Sequence, residues 1–171
     1  LAFRTMDAFG KFCVSGSGAA APADAFATSD FCMPTGVKVT REEDYRVLLE
    51  IKTGWLDSSI ATDPRGFGFK KMLWPMYFGL PFRRVVFSSW FAPVLRVGSK
   101  GGEEHVLDFR PLGPGQPNLY EARFRPRSDG EAFLFVNDAV WGWPGIHDHF
   151  YANNAGTASI KIEHLNINSR N

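Results

Sequence analysis

The chain has 171 residues, is 44% hydrophobic and has a mean hydropathy of -0.16, so it can build a real core and is no disordered tail. Nineteen Lys and Arg against eighteen Asp and Glu leave a formal charge of +1, which argues against nucleic acid as a partner, because phosphate binding needs a clear basic excess. No run of about eighteen apolar residues offers a transmembrane helix, and the first residues lack the basic-then-apolar order of a signal peptide.

In chain order, a first strand is predicted near Lys11–Ser15, then a loop rich in Gly, Ala, Ser and Pro over Ser15–Thr28. Gly36–Thr40 and Tyr45–Ile51 alternate apolar and polar residues on either side of a short charged turn, the pattern of half-buried strands. Val94–Val97, Glu104–Phe109, Tyr120–Phe124, Glu131–Val136 and Ala158–Glu163 follow at short spacing. About eight short strands predict an all-β, two-sheet antiparallel sandwich of jelly-roll type. The alternation places Val37, Val39, Val47, Leu49, Leu95, Val97, Phe133, Phe135 and Ile160 in its core. No repeat or linker divides the chain, which reads as one domain over 1–171; beginning at Leu1 rather than Met, it also reads as a piece of a larger protein.

Two stretches break the strand rhythm, Trp55–Phe82 and Trp141–Ala152, both aromatic and too long for plain connections. Loops on a rigid sheet are where function is expected. Cys13 and Cys32, each preceded by Phe, fit two readings: a disulfide closing a loop, or two small buried thiols in a reducing compartment. Their spacing does not resemble a zinc site.

The densest set of possible ligands is Asn137-Asp138, His147-Asp148-His149 and Asn153-Asn154. If the strands flanking this region meet at one end of the sandwich, Asp138 and the two amides meet there as well. A carboxylate with amide oxygens suits a hard cation such as calcium. The same residues also suit turn capping, in which Asx side chains bond to nearby backbone amides. His147-Asp148-His149 is a weak metal signal, since loop side chains at i and i+2 need not converge. No G-x-S-x-G, H-E-x-x-H, P-loop or dinucleotide fingerprint occurs, and nothing fixes the separation of Asp138 and Asp148 as a carboxylate pair, so the chain is not read as an enzyme.

Phe135-Val136-Asn137-Asp138 followed by Asn153-Asn154-Ala155-Gly156-Thr157-Ala158-Ser159-Ile160 resembles the end of the soluble bacterial galactophilic lectin family. Pro34-Thr35-Gly36-Val37-Lys38-Val39 and Trp90–Gly98 resemble strands of galactose-binding-like domains. The resemblance implies a galactose-binding-like jelly roll, carbohydrate as partner, and calcium held by Asp138, Asn153 and Asn154. It also implies that the ion meets two sugar hydroxyls. Trp141, Trp143 and Tyr151 would then offer aromatic faces to the sugar ring. The loop between Asp138 and Asn153 is about a dozen residues longer than in that family, so the aromatic insert either enlarges the sugar site or fills it.

A second resemblance, through Gly130–Val140 and Phe150–Thr157, is to an accessory domain of bacterial α/β-hydrolase proteins such as lipase-like type VI secretion effectors. It implies a docking role and export as part of a larger protein. The 67–91 segment suits docking: Lys70-Lys71 and Arg83-Arg84 flank Trp74, Tyr77 and Phe78, as in segments that lie at a membrane interface or meet a partner protein. The same residues also fit a cover folded over one sheet, with basic stems at its rim.

Overall fold

The computed structural model describes residues 7, 12–14, 26–72, 74–140 and 148–165. Twelve strands appear among them: β1 (Phe26–Ala27), β2 (Met33–Val39), β3 (Tyr45–Ile51), β4 (Trp55–Asp57), β5 (Ile60–Thr62), β6 (Pro93–Val97), β7 (Glu103–Val106), β8 (Arg110–Pro111), β9 (Leu119–Phe124), β10 (Gly130–Val136), β11 (Asn154–Ala155) and β12 (Thr157–His164). All pairings are antiparallel. The chain is an all-β sandwich. One sheet runs β1-β12-β3-β9-β8, the second β2-β10-β6-β7, and a small third sheet runs β11-β4-β5. No helix among the described residues is long and apolar enough to cross a membrane.

In the first sheet the alternation does what it predicts. Tyr45, Val47 and Leu49 of β3 point inward beside Tyr120, Ala122 and Phe124 of β9 and Ala158 and Ile160 of β12. Burying each large apolar side chain stabilises the fold by roughly 1.5–3 kcal/mol. The second sheet differs, because β6 is buried at every position and β10 from Ala132 onward. Its outer face is covered: the Arg96 guanidinium bonds the Asp7 carboxylate at 2.6 Å, and Arg84 stacks over the Phe135 ring at 3.3 Å. Cys13 and Cys32 form a disulfide with a Cα–Cα distance of 5.3 Å, which holds an amino-terminal stretch against this face.

Val37 is only half-buried, unlike the other predicted core residues. The cause is an irregularity in β2, where Gly36 takes φ +70° and the register against β10 shifts between Glu131 and Phe133. A bulge of this kind resets the in-out parity. Trp55–Phe82 is not strandless either, since it opens with the β4–β5 hairpin. The 3-10 turns Phe69–Lys71 and Trp74–Phe82 follow. Residues 12–14, the described middle of the predicted first strand, form a bend and no strand, because the Cys13–Cys32 disulfide rather than strand pairing anchors them, and most of the Ser15–Thr28 loop lies outside the described residues.

Candidate functional site

The apolar strand β10 ends at Val136, and the next two residues are polar yet buried: Asn137 is fully enclosed and Asp138 is 1% exposed. Asn137 closes the strand end. Its Oδ1 accepts from the Val85 amide, and its Nδ2 donates to the carbonyls of Val85 and Ser89, so the long 83–90 segment is fastened to β10. Asp138 turns the other way. Oδ1 accepts from the Ala139 amide at 2.6 Å, and Oδ2 accepts from Asn154 Nδ2 at 2.9 Å.

Asn154 is delivered by β11, whose register pairs it with Asp57 of β4. Its amide nitrogen also reaches the Thr28 carbonyl at 3.3 Å, while its buried Oδ1 has no hydrogen-bond partner among the described residues. Gly156 makes the step from β11 to β12 possible: φ is +130°, and a Cβ there would sit 2.6 Å from the Trp55 ring. Asp57 is 4% exposed and accepts from the Trp90 indole N–H at 2.6 Å. Among the described residues, neither Asp57 nor Asp138 forms an ion pair with a Lys or Arg.

The electrostatics follow. Burial, and then the neighbouring Asp57 charge, push the Asp138 carboxyl up to about 7, against smaller opposing contributions from its hydrogen bonds to Asn154 and Ala139. Burial also raises Asp57, with the Trp90 hydrogen bond opposing. Two acids thus share one enclosed corner with an amide oxygen that accepts from none of the described residues. Such a corner has two chemical uses: turn capping with a retained proton, or coordination of a hard cation that repays the desolvation.

The predicted site residues separate. Asp138 and Asn154 meet, and Asn153 lies exposed one residue earlier, at the end of the 3-10 turn Tyr151–Asn153. Tyr151 does not present the open ring expected of it. It is 1% exposed, its O–H donates to the Val136 carbonyl at 2.6 Å, its ring packs edge-on to Phe31, and burial lifts its phenol to about 12. This side chain is a core pillar beneath the site, because the 3-10 turn aims it inward. Trp141, Trp143 and His147 lie outside the described residues. Among the described residues no three His, Cys, Asp or Glu side chains gather in a metal-binding set.

Sequence reasoning missed Asp57. Its signal was the Trp55-x-Asp57 alternation, which puts both residues on the inward face of a strand too short to recognise.

No family model matches the chain, and no curated protein matches it. A solved structure similar to it is the N-terminal domain of EclA, described as a PllA-like lectin. The likeness covers 83% of this chain and 93% of that one, at 17% identity and a TM-score of 0.49.

Proposed function

We propose that the chain is a non-catalytic, lectin-like carbohydrate-binding domain assisted by calcium at the Asp138–Asn154 corner. The observation that carries this reading is the buried Asn154 Oδ1, which lacks a partner among the described residues and lies beside two enclosed carboxylates. A buried acceptor left unsatisfied costs roughly 1–3 kcal/mol, and a cation relieves it and the Asp138 desolvation together. Asp138 and Asn154 would hold the ion, with the Asp57 charge close by, while the exposed Asn153 would join them only if the turn before β11 shifts on binding. An ion held by few protein groups keeps coordination positions that vicinal sugar hydroxyls can fill. Trp141 and Trp143 are the proposed aromatic faces for the sugar ring, and Tyr151 leaves that role.

Thermal melts with calcium and with chelator test the reading. Calcium at a hundredfold excess over its dissociation constant should stabilise the unmodified protein by about 2.7 kcal/mol. Asp138→Asn should abolish that gain, together with calcium-dependent retention on immobilised sugars. Coincident melts for the unmodified protein would leave Asp138 as a turn-capping residue and remove calcium from the site.

A further inference from the structure

The segment between β5 and β6 carries large aromatic side chains on the outside of the molecule. Trp74 is 74% exposed, Tyr77 45%, Phe78 67% and Phe87 fully so. The Trp74 and Phe78 rings meet edge to face at 5.2 Å, so they stand as a formed pair rather than as separate rotamers. Phe87 rims a cleft of about 300 Å³ whose walls include Gly68, Met72 and Trp90. Elsewhere among the described residues the exposed large apolar side chains are Val14, Leu56, Val106 and Leu112, scattered along the chain. Single exposed apolar residues are ordinary; a group of four aromatic ones on one segment is not.

Charge says what such a face fits. Not one Asp or Glu occurs between Asp63 and Glu103, although the chain as a whole is nearly neutral. Within that stretch Lys70, Lys71 and Lys100 are exposed. The root of the segment is stiff. Arg83 is buried, donates to the Ser88 carbonyl at 2.5 Å and lies over the Trp90 ring at 5.4 Å, while Asn137 holds Val85 and Ser89.

We infer that this aromatic and basic segment docks on an anionic lipid bilayer, with Trp74, Tyr77, Phe78 and Phe87 entering the headgroup boundary and Lys70 and Lys71 facing lipid phosphates. Protruding rings suit a deformable apolar medium, whereas a protein partner must supply a matching hollow. Trp and Tyr favour the interface because one end of the ring system stays polar. A stretch without carboxylates meets no repulsion at a negative surface. This surface is separate from the Asp138 corner and needs neither calcium nor sugar.

The test is sedimentation of the 171-residue chain with phosphatidylcholine vesicles, with and without phosphatidylserine, in chelator and without sugar. Binding should require phosphatidylserine and weaken as salt rises. Lys70→Glu/Lys71→Glu should weaken it by about 25-fold or more, from roughly fivefold per lysine removed. Trp74→Ala/Phe78→Ala should lose it while keeping the circular dichroism spectrum and melting temperature of the unmodified protein. Equal sedimentation with both vesicle types, or none with either, overturns the inference. So does a concentration-dependent dimer that Trp74→Ala/Phe78→Ala abolishes, which would make the face a contact between copies. Because calcium is chelated throughout, failure here leaves the carbohydrate reading intact, and failure of that reading leaves this one intact.

Discussion

The corner around Asp138 and the segment around Trp74 break the same rule in opposite directions. One encloses two carboxylic acids, and the other leaves four large aromatic side chains in solvent. Each arrangement forgoes stability: charge loses hydration in the first, and apolar area stays wet in the second. Local choices that work against the global fold concentrate at functional places. The supports of the two regions also differ. Among the described residues the Asp138 carboxylate accepts from β11 and from the residue beside it, whereas the Trp74–Phe78 pair is built within a single 3-10 turn. Between them lie Asn137, Arg84 and Trp90, which fasten the exposed segment to the buried corner.

The contrast breaks most visibly at Asp138. The unfolded chain releases that proton near 3.8, and the folded chain keeps it up to about 7. Between those values the folded state holds more protons, so this group's contribution is fully present below about pH 4 and is lost as pH rises to about 7. A shift of about three units corresponds to on the order of 4 kcal/mol. Melting in chelator should therefore fall across this window for the unmodified protein, relative to Asp138→Asn, which has no proton to lose at this position. Above pH 7 the variant should be the more stable of the two. Parallel pH profiles for the two proteins would show that Asp138 ionises normally and would remove the electrostatic case for a cation. Calcium should flatten the fall in the unmodified protein alone.

The disulfide sharpens the comparison from the side of the second sheet. Cys13–Cys32 closes a loop of 19 residues, and Cys13 Sγ lies 4.0 Å from Arg84 Nη2, beneath the root of the aromatic segment. Constraining a loop of this length in the unfolded chain is worth roughly 3 kcal/mol in the chain-entropy account. Cys13→Ala/Cys32→Ala should lose about that much in denaturant titrations. Chelated vesicle binding by the folded fraction should not change, because the Trp74–Phe78 pair is built within its own 3-10 turn and residues 85–89 are held by Arg83 and Asn137 rather than by the bridge. A loss of stability well under 1 kcal/mol would show that the amino-terminal stretch is held by its packing alone.

Much of the scaffold was legible in the sequence, and the reasons are local. Tyr45–Ile51 and Thr157–His164 alternate cleanly because each has one face on the core and one in water, so their period survives in the letters. Pro93–Val97 shows no alternation because both its faces are covered, and the Asp7 side chain that pairs with its Arg96 comes from 89 residues away. The Asp138–Asn154 meeting was legible through the motif at the two strand ends. Asp57 and the inward turn of Tyr151 were not, since a three-residue strand and a 3-10 turn are too short to leave a period. The two open readings of the cysteines also needed geometry: spacing alone does not say whether two Cα atoms come within 5.3 Å.

The smallest expected effect is the most discriminating for the aromatic segment. Phe87 has as much accessible surface in the folded protein as in an extended chain, so removing its ring takes nothing from the core. Phe87→Ser should shift unfolding free energy by no more than about 0.5 kcal/mol, the usual range for surface positions. Exposing apolar area nevertheless carries a solubility cost, which the variant should relieve as slower aggregation at high concentration. If the ring serves a docked state, the variant keeps its melting temperature and loses affinity for phosphatidylserine vesicles. If the segment instead folds down as a cover over the cleft beside Trp90, then Phe87→Ser should destabilise by about 1 kcal/mol or more, because a buried ring would be lost from contact with Met72 and Phe67. A single denaturation curve separates a surface poised for a partner from a lid that belongs to the fold.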